Sequence, residues 1–128
     1  MRFALVLTVL TLAACRGPTA SDLPLLELTG IAVAGPTCPV VRDPPDPACD
    51  DRPVAGATLV VTDQAGTEVA RIDTDADGRF AVVLAPGTYR LVPQPVEGLL
   101  GTATPVEVSL VPGTDPERIV LAYDTGIR

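Results

Sequence analysis

The chain has 128 residues, nine Arg against sixteen Asp plus Glu, a net charge of −7 and three cysteines, and it contains no Lys, His, Asn or Trp. A surface this acidic repels nucleic acid and anionic membranes, so no nucleic-acid partner is expected. Without imidazole or amine, and with serine only at Ser21 and Ser109, nothing nominates a catalytic nucleophile with its base: no enzyme and no cofactor are expected.

In chain order, the first feature is the apolar run F-A-L-V-L-T-V-L-T-L-A-A, Phe3 to Ala14, behind the single positive charge of Arg2. A bilayer-spanning helix needs about 20 residues, so 1–14 read as a signal peptide. The run ends in L-A-A-C, Leu12 to Cys15, which resembles the bacterial lipoprotein box. The resemblance implies that a diacylglyceryl group alkylates the Cys15 thiol and that a lipoprotein signal peptidase cuts between Ala14 and Cys15. Two acyl chains anchor stably where one holds marginally, at about 0.8 kcal/mol per buried methylene. The protein is then exported and anchored in the bacterial cell envelope through lipid on Cys15. The competing reading is an ordinary secretory signal with an incidental cysteine. Residues 15–24, small, polar and proline-containing, form a short tether. With Arg2 removed the mature chain carries −8.

From Leu25 to Arg128 a single all-β domain is expected. Short apolar runs alternate with turn signals, and Pro and Gly recur too often for a helix. Strands are placed near Leu26–Ala34, Ala57–Thr62, Glu68–Thr74, Arg79–Leu84, Thr88–Pro93, Pro105–Val111 and Arg118–Tyr123. Seven strands of this length suit a two-sheet sandwich. Period-two alternation puts Phe80, Val82 and Leu84 on one face, Val106, Val108 and Leu110 on another, and Tyr89 with Leu91.

The segment Pro36 to Pro53, P-T-C-P-V-V-R-D-P-P-D-P-A-C-D-D-R-P, is the long connection. In an exported chain its Cys38 and Cys49 read as a disulfide, with two free thiols as the alternative; zinc lacks the right spacing and any histidine. A bridge here contributes about 3 kcal/mol in the chain-entropy model. A long loop in a small domain is either functional or disordered, and the bridge and prolines argue for a held shape. This 36–53 loop is where a protein or glycan partner is expected. Its acids, Asp43, Asp46, Asp50 and Asp51, serve either the solubility of an exposed loop or the binding of calcium or a basic partner.

Two four-residue stretches, D-Q-A-G (Asp63–Gly66) and D-A-D-G (Asp75–Gly78), carry the pattern of a type I turn whose glycine supplies positive φ, and both are expected to close tight hairpins. The second lies in D-T-D-A-D-G-R-F, Asp73 to Phe80, which spaces carboxylates as a calcium loop does. Counting Asp73 as position 1 puts Leu84 at position 12, where a bidentate Glu belongs, and strands replace the flanking helices. Asp75, Asp77 and Gly78 are therefore read as turn residues joining the third and fourth strands, with no metal ligand assigned; a calcium-binding extracellular module is the second functional reading.

Ala55 to Leu91, A-G-A-T-L-V-V-T-D-Q-A-G through T-D-A-D-G-R-F to L-A-P-G-T-Y-R-L, resembles the carboxypeptidase regulatory-like domains, which share a transthyretin-like (prealbumin-like) sandwich with Cna-B repeats of surface adhesins. The resemblance implies a scaffold without chemistry. The Lys–Asn crosslinks of pilin and adhesin relatives, and the histidines of transthyretin-like hydrolases, have no counterpart here. The function expected is a non-enzymatic, lipid-anchored envelope protein that presents its sandwich for binding or structural interaction.

Overall fold

The computed structural model describes residues 23–127. The expected signal peptide, Cys15 and most of the tether lie outside them. The strands are β1 (Leu26–Gly35), β2 (Arg52–Pro53), β3 (Thr58–Thr62), β4 (Glu68–Asp73), β5 (Arg79–Leu84), β6 (Gly87–Pro93), β7 (Val106–Leu110) and β8 (Ile119–Asp124). The seven expected strands are all present within a residue or two of their expected ends. The eighth, β2, is a two-residue edge segment too short to leave a periodic trace in the sequence.

Two sheets form. One is built around β1, which pairs antiparallel with β5 along Leu26–Ile31 and with β2 at Val33 and Ala34, and parallel with β8 along Gly30–Gly35. The other runs β4-β3-β6-β7, antiparallel throughout. Alternation decides which side chains meet between them. Phe80, Val82 and Leu84 of β5 are buried while Arg79, Ala81 and Val83 are exposed. Leu28 and Ala32 of β1, Leu59 and Val61 of β3, Leu91 of β6 and Leu121 of β8 are inaccessible or nearly so, and with Tyr123 they fill the space between the sheets. Burying such a side chain fully contributes roughly 1.5–3 kcal/mol, so this aliphatic core carries the fold. The Tyr123 hydroxyl donates to the Gln94 carbonyl at 3.3 Å, and burial pushes its pKa above the ordinary phenol range.

The two D-x-x-G turns have the same hydrogen bonds and different roles. In the first, one carboxylate oxygen of Asp63 accepts from the N–H groups of Ala65 (2.9 Å) and Thr67 (3.0 Å), and Gly66 N–H donates to the Asp63 carbonyl. In the second, Asp75 Oδ1 accepts from Asp77 and Arg79, both at 2.9 Å, and Gly78 N–H donates to the Asp75 carbonyl. Gly66 and Gly78 stand at φ +80° and +72°. Asp63–Gly66 closes the β3–β4 hairpin. Asp75–Gly78 does not close one: β4 belongs to one sheet and β5 to the other, so the expected hairpin is instead a crossing between layers.

The reason lies on either side of that turn. Thr74, the buried polar residue of the described chain, turns away from β5: its N–H donates to Ala57 O (3.0 Å) and its carbonyl accepts from Gly56 N–H (2.9 Å). Its hydroxyl donates to Val54 O (2.5 Å) and accepts from Ala57 N–H (2.9 Å). Beyond the turn, the Gly78 carbonyl accepts from Ala32 N–H of β1 at 2.7 Å, and the Ala32 carbonyl accepts from Val54 N–H at 2.9 Å. The chain therefore leaves one ladder at Thr74 and joins the other at Gly78, and no buried side-chain polar atom of the described residues is left unpaired.

Candidate functional site

β1 enters at Leu26 and, over ten residues, carries the chain roughly 30 Å before Gly35. The loops at that far end are 36–51, which follows β1, 94–101, which follows β6, and 124–127, which closes β8. They are tied together. Leu100 and Gly101 N–H groups donate to the Asp124 carbonyl at 2.9 and 3.1 Å, Thr125 N–H donates to Gly35 O at 3.2 Å, and the Thr125 hydroxyl donates to Pro36 O.

The 36–51 loop is held in shape. Cys38 and Cys49 are bonded, with Cα atoms 5.2 Å apart. Between them a 3₁₀ turn, Pro47–Cys49, is capped by Asp46, whose carboxylate accepts from Ala48 N–H at 3.0 Å. The Thr37 hydroxyl donates to Asp50 O at 3.1 Å, across the bridge. The packing leaves Val40 and Val41 outside: Val41 is fully exposed and Val40 mostly so.

Beside this loop lies a cleft of about 520 Å³. One wall is Arg52, Val54 and Ala55; the other is Val96, Glu97 and Leu99. The side chains of Arg52 and Glu97 have no ion-pair or hydrogen-bonding partner among the described residues. Residues 96–99 carry no chemistry-bearing motif, and sequence reasoning passed over them. The available signal was V-E-G-L-L, apolar residues without alternation inside a connection longer than an antiparallel pair requires.

The carboxylates of the D-T-D-A-D-G stretch are drawn apart by their structural work. Asp73 Oδ1 accepts from the Thr58 hydroxyl at 2.7 Å, Asp75 caps its own turn, and Asp77 is exposed. Among the described residues no group of three or more His, Cys, Asp or Glu is placed to hold a metal ion. An ion would compete with the two backbone donors of Asp75. The melting temperature is therefore expected to be the same in millimolar calcium and in chelator; a rise that follows calcium concentration would reveal a native-state site and overturn this assignment.

Residues 46–121 match the family model of the carboxypeptidase regulatory-like domain, more than half of the chain. The protein belongs to that family. Among solved structures, the minor pilin GBS52 of Streptococcus agalactiae superposes with a TM-score of 0.58 at 15% identity, covering 80% of this chain and 45% of the pilin. A variant of the shaft pilin SpaA of Lactobacillus rhamnosus GG gives 0.57 at 8% identity, over 79% of this chain and 50% of the other. A second SpaA variant gives 0.54 at 12%, over 80% and 51%. The present chain thus spans about half the length of these structures, and the likeness is one of fold: a two-sheet pilin-type β-sandwich. No curated protein sequence matches the chain.

Proposed function

We propose that this is a non-enzymatic envelope protein, lipid-anchored through Cys15, whose sandwich holds the disulfide-closed loop out to a protein partner. The observation that carries the reading is directional. The tether reaches the described domain at the Leu26 end of β1, and the bridged loop, the cleft and the exposed Val40 and Val41 all lie at the Gly35 end. A lipid on Cys15 would put that end away from the bilayer. The 36–53 loop is more than solubility requires, because bridge, cap and hydrogen bonds fix its shape while leaving two valines bare. A protein partner is favoured over a glycan, since Phe80 and Tyr123 are buried and Tyr89 is half-buried with its hydroxyl on Ala85 O. No aromatic ring of the described residues is open for stacking on a sugar.

The test of the anchor is Cys15→Ala. The variant is expected to accumulate as an uncleaved precursor and to move from the detergent phase to the aqueous phase in a phase-separation assay. Continued partition of a cleaved form with detergent would dispose of the lipid reading. A protease site inserted between Val40 and Val41 is expected to be cut in the folded, membrane-anchored protein once the compartment that holds the domain is opened, because both valines are bare in the loop.

A further inference from the structure

We infer that the cleft between residues 52–55 and 96–99 binds an extended, basic segment of a partner protein through an aliphatic side chain. The inference rests on the proposed function for its setting, and concerns the same end of the sandwich. Three observations support it. The cleft lining includes Val54 of the core and Val96 and Leu99 packed against that core, and its volume of about 520 Å³ lies within the range of specific binding pockets. Its surroundings extend the apolar surface: Val40, Val41 and Leu100 are exposed at this end and Ile127 partly so, a set of bare aliphatics within a polar rim.

The third observation is charge, and it selects the occupant. The loops 36–53, 94–101 and 124–127 carry Asp43, Asp46, Asp50, Asp51, Glu97 and Asp124 against only Arg42 and Arg52. Asp46 caps the 3₁₀ turn and Asp124 Oδ1 accepts from Gly126 N–H at 2.8 Å, so part of this acidity is structural; the Glu97 carboxylate on the cleft wall has no such duty. Acidic rims steer and register basic partners and repel acidic ones. The lone Arg52 opposite Glu97 gives the cleft a polarity: a segment with lysines or arginines on the Glu97 side and its carbonyl oxygens or an occasional acid toward Arg52 fits one way round.

An aliphatic anchor suits the apolar lining given by Val54, Val96 and Leu99. Ala55 is exposed on the cleft wall and small, so the opening is set by backbone and a methyl group. That makes Ala55 the position at which the cleft can be closed without disturbing the core.

The experiment uses the full chain purified in detergent and three synthetic eight-residue probes: alternating Lys and Leu, alternating Lys and Ser, and alternating Glu and Leu. Binding is read by amide chemical shifts and by titration calorimetry. The Lys–Leu peptide is expected to shift residues 52–55 and 96–99, and to bind at least tenfold more tightly than either control. Ala55→Trp, which fills the cleft, and Glu97→Lys, which reverses its rim, are each expected to weaken the Lys–Leu peptide tenfold or more with unchanged melting temperature. Absence of binding, shifts mapping to another face, equal binding of the Lys–Ser peptide, or an unaffected Ala55→Trp variant would each overturn the inference. None of these outcomes depends on Cys15 or on the membrane, so the cleft can fail while the anchor reading stands, and the reverse.

Discussion

Gly78→Ala is expected to destabilise the domain by about 3 kcal/mol or more, while Gly66→Ala, in a turn with the same hydrogen bonds, costs only about 1 kcal/mol. Both glycines occupy the left-handed region, so an added methyl strains each by roughly 1–2 kcal/mol. Surroundings separate them. A Cβ on Gly66 meets nothing within 4 Å, but one on Gly78 would lie 2.5 Å from the Ala32 carbonyl oxygen and 3.0 Å from Pro53 Cβ and Val54 N. These are mostly backbone atoms of β1 and the β2 edge, which cannot swing aside as a flexible side chain does. The same approach brings the Gly78 carbonyl to Ala32 N–H, so relief of the clash breaks the bond that starts β5. Urea unfolding of the two variants measures the difference, and equal losses would mean that the crossing is not where strain concentrates. Against a total stability of about 5–15 kcal/mol, the Gly78 loss is large.

The second large effect is at the middle of β1. Gly30 sits between Phe80 on β5 and Ile119 on β8. A Cβ there would lie 2.5 Å from Phe80 Cε1 and 2.6 Å from the Ile119 carbonyl oxygen. The Phe80 ring is buried over the glycine, filling the space that a side chain on β1 would take. Gly30→Ala is expected to cost about 2–4 kcal/mol, at the upper end for overpacking because one obstacle is backbone. Phe80→Leu removes the ring contact and leaves the carbonyl contact, so the double variant should be less damaged than the sum of the singles by at least 1 kcal/mol. A loss within 0.5 kcal/mol for Gly30→Ala, or strict additivity, would show that ring and glycine are not packed as described.

How far the fold could be read from the chain follows from what each feature depends on. The long strands announce themselves, since Phe80-Val82-Leu84 and Val106-Val108-Leu110 encode burial in a local period. The D-x-x-G turns do likewise, because Asp63 and Asp75 bond to N–H groups two and four residues on. What those turns connect is not local. Asp63–Gly66 and Asp75–Gly78 look alike in sequence and in hydrogen bonding, yet only the first lies between paired strands; the difference is made by Thr74 reaching back to Val54 and Ala57, and by Ala32 reaching across to Gly78. The β2 segment was hidden for a related reason, being two residues defined by a partner rather than by a pattern. The cleft was hidden most completely. Its walls come from stretches some forty residues apart, and Val54, Val96 and Leu99 read as ordinary apolar residues until the fold sets them around one cleft. Cys38 and Cys49 stood at the other extreme, since pairing two cysteines in one short loop needs little tertiary knowledge.

The pairing of β1 carries a consequence for how the molecule comes into being. Among the described strands β1 is made first, and its short ladder with β2 follows soon after, yet its two long ladders are closed by β5, about fifty residues later, and by β8, about ninety residues later. Loop closure over such separations costs entropy before any bond returns it, and topologies of this kind fold in milliseconds to seconds. The β4-β3-β6-β7 sheet needs only segments between Thr58 and Leu110 and can assemble on its own neighbours. The first strand to emerge is thus the last to be enclosed, and until Ile119–Asp124 has been synthesised one edge of β1 waits open.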